Sequence, residues 1–129
     1  MENPADLKYT KEHEWIRVEG DSGLIGITDF AQSQLGDIVL VELPQLGSAL
    51  AKGDSFGVVE SVKTVSDLYA PVSGTVVELN DLLLESPELV NEDPYGEGWI
   101  AKVKFTHPDD LSDLLDAAAY HRYVEEEQA

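Results

Sequence analysis

The stretch Gly53-Asp54-Ser55-Phe56-Gly57-Val58-Val59-Glu60-Ser61-Val62-Lys63-Thr64-Val65-Ser66-Asp67-Leu68-Tyr69-Ala70-Pro71-Val72-Ser73-Gly74-Thr75-Val76-Val77-Glu78-Leu79-Asn80 decides the fold class. Residues 55–62 are a valine-rich run of strand length, and residues 65–69 are extended again. Residues 70–74 read as a turn, residues 75–79 as a further strand, and Asn80 closes it. Short β-branched segments set between turn residues predict an all-β chain. Lys63 falls between two extended runs, at or near a hairpin tip.

The same pattern extends toward both ends. Residues 15–18 read as a strand, residues 19–23 as a turn cluster, and residues 24–27 as the second arm of a hairpin. Thr28 offers a helix N-cap with Asp29 in the first turn, Phe30, Ala31, Gln34 and Leu35 suit about two helical turns, and Gly36 ends them. Residues 37–43 form a strand that Pro44 stops, and residues 47–53 are loop-like. Residues 88–91 suit one helical turn, and residues 92–98 read as an irregular surface loop. Trp99, Ala101, Val103 and Phe105 alternate with Ile100, Lys102, Lys104 and Thr106, the pattern of a half-buried strand. Thr106-His107-Pro108-Asp109-Asp110 then signals a helix start, and Leu111, Leu114, Leu115, Ala118, Ala119, Tyr120, Tyr123 and Val124 continue at helical spacing. Residues 125–129 are expected to fray. The prediction is one domain over residues 1–129, with a β-sandwich or flattened barrel over 7–106, a short early helix, and a helical segment over 108–125.

The 129 residues carry 8 Lys+Arg against 26 Asp+Glu, a formal net charge of -18, and no cysteine. Disulfides, thiolate metal sites, iron–sulfur ligation and a cysteine nucleophile are excluded, so any sulfur redox chemistry must be imported. Nucleic acid and anionic membrane surfaces are disfavoured partners, because counterion release needs Lys and Arg. The charge fits a soluble monomer that repels copies of itself. No apolar run is long enough to span a membrane. The first ten residues lack the pattern of a signal or transit peptide, which points to the cytoplasm, although a mature organellar form would look similar.

Between Gly53 and Ala101, Lys63 is the only cation, among ten acids. Two readings fit it: a solvated turn lysine, or an amine held out for an enzyme to modify. His13 between Glu12 and Glu14 is a weak metal trio, because neighbours on an extended segment point to alternate faces. The acids of residues 85–97 lack the spacing and glycine of a calcium loop. Gly20, Gly23 and Gly26 miss the dinucleotide fingerprint and suit turn and strand-packing roles. Ser61 and Ser66 have no histidine partner in sequence context, and no triad or metal motif supports a hydrolytic enzyme.

Residues 53–67 followed by Tyr69-Ala70-Pro71-Val72-Ser73-Gly74 resemble the lipoyl-attachment hairpin of the glycine cleavage system H protein family. The likeness continues in Tyr9-Thr10-Lys11-Glu12-His13-Glu14-Trp15, Gly26-Ile27-Thr28-Asp29-Phe30-Ala31-Gln32, Leu35-Gly36-Asp37-Ile38-Val39 and Val41-Glu42-Leu43-Pro44. Leu89-Val90-Asn91-Glu92-Asp93-Pro94-Tyr95-Gly96-Glu97-Gly98-Trp99 resembles the family's late loop. Biotin carriers typically flank their lysine with methionines, and the lipoyl domains of 2-oxo acid dehydrogenases usually with Asp and Ala. Val62 and Thr64 fit neither.

The resemblance implies a lipoyl/biotinyl-carrier-like sandwich and lipoate in amide linkage to Lys63, on an arm that reaches about 10–15 Å. It implies that glycine decarboxylase loads an aminomethyl group onto the arm. Aminomethyltransferase then passes the one-carbon unit to tetrahydrofolate, and dihydrolipoamide dehydrogenase reoxidises the dithiol. The carrier itself is not an enzyme, and tethering raises the effective concentration of the arm's end at each partner. Glu60, Ser61, Val62 and Thr64 are expected to present Lys63 to the lipoate-attaching enzymes, and Gly74 to supply a turn that helps place it. Glu12, Glu14 and Asp67, with Gln34 as a hydrogen-bond partner, are the candidates for a cleft that docks the loaded arm. Some family members carry histidine at the position of Gln34, so its role is open. The same lysine would also serve an alternative use, as lipoyl donor to 2-oxo acid dehydrogenase complexes.

Overall fold

A computed structural model describes residues 2–128. In chain order it contains β1 (Lys8–Tyr9), β2 (Glu14–Glu19), β3 (Ser22–Ile27), α1 (Asp29–Leu35), β4 (Ile38–Glu42), β5 (Ala49–Leu50), β6 (Ser55–Ser61) and β7 (Val65–Tyr69). There follow β8 (Gly74–Leu79), α2 (Leu82–Glu85), α3 (Leu89–Glu92), β9 (Ala101–Phe105), a 3₁₀ turn at Pro108–Asp113, and α4 (Ala117–Gln128). One sheet runs β1-β2-β3-β9-β8-β5, the other β4-β6-β7, and every named pair is antiparallel. The all-β sandwich with an early helix and a C-terminal helix is the architecture expected. No helix among the described residues is long and apolar enough to cross a membrane.

The two sheets close on a core that includes Ile16, Ile25, Val76 and Val103 from the larger sheet and Ile38, Val41, Val59 and Leu68 from the smaller. A second core lies on the other face of β2, where Trp15 packs with Leu7, Tyr9, Phe30, Tyr120 and Val124. β2 is therefore covered on both faces, and Trp15 and Ile16 are both buried although they are neighbours. At Gly26, which pairs with Trp15, an added Cβ would stand 2.6 Å from the indole. Gly26 and Gly23 are thus strand-packing glycines, as the sequence suggested.

Thr28 caps α1 by accepting from the Ala31 amide, and Gly36 ends the helix at φ 83. The Thr28 hydroxyl lies 2.7 Å from Tyr120 Oη, which lies 2.8 Å from His13 Nδ1, while His13 Nε2 meets Glu127 at 2.9 Å. His13 therefore joins the C-terminal helix to the cap of α1.

The readings of the tail, of the 47–53 loop and of Gly74 need correction. The predicted helical segment over 108–125 is broken. After the 3₁₀ turn the chain is extended near Leu115, which exchanges backbone hydrogen bonds with Tyr9 at 2.8 Å in both directions. That long-range pairing overrides the helical spacing, and the true helix starts at Ala117 and continues to Gln128, through residues expected to fray. The loop at 47–53 contains the short strand β5, paired with β8. The loop at 92–98 is irregular, as expected, and is anchored by Pro94 O, which accepts from Trp15 Nε1 at 2.9 Å, and by Tyr95 O, which accepts from Arg17 at 3.0 Å. Gly74 supplies no left-handed turn. It opens β8 in the larger sheet, where a Cβ would stand 2.5 Å from Lys104 O, so its role is close strand approach away from Lys63.

Candidate functional site

Lys63 sits at the tip between β6 and β7. Neither Val62 nor Lys63 has a positive φ, so this is not the glycine-rich primed turn of most tight hairpins. Ser61 builds the tip instead. Its amide donates to Thr64 O at 2.8 Å. Its hydroxyl oxygen accepts from Lys63 N at 3.3 Å and Thr64 N at 3.1 Å, and the hydroxyl donates to Thr64 O at 3.2 Å. Ser61 is buried while Val62, Lys63 and Thr64 are exposed. Ser61→Ala leaves two backbone N–H groups without that acceptor, and is expected to lower stability by about 1–2 kcal/mol in urea unfolding. A loss within error of zero would contradict this account of the tip.

A second support comes from the α1–β4 junction. Val62 N donates to Asp37 O at 3.1 Å. Gly36 lies under the lysine chain, since a Cβ there would stand 3.3 Å from Lys63 Cε. Lys63 Nζ has no hydrogen bond or ion pair among the described residues. Five of the seven other cations are engaged among the described residues: Lys52 with Asp113 at 2.7 Å, Lys102 with Glu19 at 3.6 Å, Lys104 with Asp21 at 3.9 Å, Arg17 with Tyr95 O and the Trp15 ring, and Lys11 over the Tyr123 ring. A free amine on a clamped turn is accessible to an acylating enzyme.

The four residues expected to dock an arm are not joined to one another by any hydrogen bond among the described residues. Gln34 is exposed on α1, and Glu12 is exposed on the turn before β2. Asp67 is exposed on β7, with its Oδ1 3.4 Å from Ser55 Oγ. Glu14 is only 3% exposed, and its two oxygens accept from Thr10 Oγ1 at 2.9 Å and from Tyr69 N at 3.1 Å. Burial, helped by the charge of Glu12, pushes its carboxyl from an ordinary 4.5 up to about 8, against the two hydrogen bonds. Between pH 4.5 and 8 the folded chain then holds a proton that the unfolded chain has released, so this group lowers stability as pH rises through that window. Glu14→Gln, which does not titrate, should gain on wild type from the acid to the alkaline end of the window. Urea unfolding at the two ends checks this, and a pH-independent difference would sink it.

A cleft of about 220 Å³ is lined by residues including Thr10, Glu12, Lys52, Ala70, Pro71 and Leu114. Ala70 is seven residues from Lys63, about 23 Å along an extended chain. A tether of about 10–15 Å spans only three to four residues of β7. Asp67 is within that reach, whereas Tyr69, six residues from Lys63 and about 20 Å along the strand, lies beyond it with Glu14 behind it, as does the cleft.

A model of the glycine cleavage H-protein matches residues 7–127. The chain belongs to the glycine cleavage H-protein family. It is 65% identical over 123 residues to the glycine cleavage system H protein of Symbiobacterium thermophilum, covering 95% of this chain and 96% of that one. It is 61% identical over 124 residues to that of Carboxydothermus hydrogenoformans, covering 96% and 95%. The crystal structure of a glycine cleavage system H protein from Mycobacterium marinum superposes with a TM-score of 0.85 at 41% identity, covering 98% of this chain and 99% of that one. The H-protein match takes in the sandwich, the Lys63 hairpin, the 89–99 loop and nearly all of α4. Sequence reasoning singled out Lys63 and Ser61, and the structure places both at the hairpin tip. It missed Asp37, whose carbonyl accepts from Val62 N of the tip, and Asn91, whose side chain holds the residues on either side of Asp37; both contacts join distant parts of the chain and leave no local pattern.

Proposed function

We propose that this chain is the lipoyl-carrying shuttle of the glycine cleavage system, with Lys63 as the modified residue. The observation that carries the reading is an unpaired, exposed lysine on a side-chain-clamped hairpin tip, in a chain of this family. The residues present fit lipoate: the amine is free, the flanking Val62 and Thr64 are exposed, and no cation other than Lys63 lies between Gly53 and Ala101. Lipoate, once attached, supplies the sulfur pair on which glycine decarboxylase, aminomethyltransferase and dihydrolipoamide dehydrogenase act in turn.

The chain's own part is to hold, aim and shelter. Ser61 and Asp37 O fix the tip, and Glu60, Val62 and Thr64 frame the lysine for the lipoate-attaching enzyme. Asp67, on β7 and four residues from Lys63, is an acid within the arm's reach and suits a terminal ammonium. Glu14 is buried behind Tyr69, where its carboxyl accepts the Tyr69 amide at 3.1 Å. Amide formation on Lys63 removes one positive charge, taking the formal -18 to -19. The remaining surface suits basic patches on the partner enzymes, so coupling should weaken at high salt. We assign the chain no bond-making step, a monomeric state in keeping with its charge, and the bacterial cytoplasm, given the sources of its relatives. Donation of the lipoyl group to other complexes uses the same lysine, and no observation favours it.

Reconstitution tests the reading. The three partner enzymes with tetrahydrofolate, NAD⁺ as the electron acceptor for reoxidation of the dithiol, and lipoylated chain should turn over glycine, and the chain alone should not. Failure of the complete mixture, with each enzyme active in its own assay, would overturn it.

A further inference from the structure

Asn91, in the late-loop motif, has no part in the reading above, yet its side chain reaches the support under Lys63. Its Oδ1 accepts from Ile38 N at 2.8 Å. Its Nδ2 donates to Gly36 O at 2.9 Å and to Gln32 Oε1 at 3.0 Å. An amide N–H can only donate and a carbonyl can only accept, so the backbone on either side of Asp37 fixes which way the Asn91 amide points. One side chain thus pins both flanks of Asp37. The Asp37 carbonyl between them receives Val62 N, and Gly36 carries the Lys63 chain above it. The helix end is part of the same arrangement. Gly36 O is among the carbonyls a helix terminus leaves without an intrahelical partner, and Asn91 satisfies it.

We propose that Asn91 is a positioning residue for the modification of Lys63. It sets the Gly36–Ile38 junction on which the hairpin tip rests while an enzyme acylates the lysine. The inference rests on the reading of Lys63 as the lipoylated residue. It also gives the 89–99 motif a role, because α3 reaches across the fold and holds the seat of the tip. Asn91→Asp keeps an acceptor for Ile38 N but places a carboxylate oxygen against Gly36 O and Gln32 Oε1. Asn91→Ser is milder and serves if the aspartate variant does not fold.

The test measures lipoylation of the full chain by a purified lipoate-attaching enzyme, beside acylation of Lys63 by a small activated ester. Val103→Ala is included as a control, because it trims a core residue on β9 of the other sheet. The expected result is a fall of about tenfold or more in kcat/KM for enzymatic lipoylation of the Asn91 variants. The ester rate at Lys63 should stay near wild type, and the Val62 amide should lose its protection from hydrogen exchange. Wild-type lipoylation rates in the Asn91 variants would overturn the proposal. So would a fall no greater than that of Val103→Ala at matched stability. Wild type and Lys63→Arg in the same series separate the two claims. If wild type is not modified at Lys63, the functional reading falls. If it is, and Asn91 has no effect, only the positioning role falls.

Discussion

Lys63→Arg is expected to fold as wild type does, take up no lipoyl group, and reduce glycine turnover in the reconstituted system to background. The substitution keeps a cation of similar length at an exposed position, so neither packing nor net charge changes. It removes the nucleophile, because a guanidinium stays protonated and does not form the amide. No other lysine can take over at the tip. Lys52 is held by Asp113 at 2.7 Å, Lys8 on β1 and Lys102 and Lys104 on β9 lie in the other sheet, and Lys11 lies on the turn between β1 and β2. The loss should therefore be complete rather than graded, with an unchanged urea midpoint. Residual turnover well above background would place the working amine elsewhere.

Trp15→Ala carries the largest expected loss of stability. The side chain is fully buried in the core formed with Leu7, Tyr9, Phe30, Tyr120 and Val124. Truncating a buried tryptophan costs about 3–5 kcal/mol, through lost burial and the cavity left behind. Pro94 O also loses the indole N–H that it accepts at 2.9 Å. Against a total stability of about 5–15 kcal/mol, that places the variant near unfolding. The 93–98 loop should lose hydrogen-exchange protection first, since Trp15 is one of its anchors. A loss below about 2 kcal/mol would mean that the second core holds the N-terminal sheet less tightly than its packing implies.

Much of this fold could be read directly from the chain, for local reasons. The valine runs on either side of Lys63, Thr28 with Asp29 at the start of α1, and Gly36 at its end each act over a few residues, and each is where the sequence placed it. The tail was not legible. Its leucines recur at helical spacing, but Leu115 pairs with Tyr9 more than a hundred residues away, and backbone pairing with β1 stops the helix short. β5 is two residues long and exists only because β8 offers it an edge. At the site, Lys63 stood out because it is a lone cation in an acidic stretch. The sequence groups Glu14 with Glu12 and Asp67 as acids that dock an arm, whereas the fold closes over Glu14 alone of the three and brings Tyr69 N to its carboxyl. Asn91 is a common polar residue in a single helical turn, and only the meeting of α3 with the α1–β4 junction gives its amide three partners.

The most direct test of the central claim is the intact mass of wild type after co-expression with a lipoate-attaching enzyme and lipoate, with the modified peptide sequenced by tandem mass spectrometry. The account predicts a gain of one lipoyl group, located on Lys63 and absent from Lys63→Arg. An unmodified wild type under conditions that lipoylate another acceptor would contradict it, as would a gain that survives the Lys63→Arg substitution.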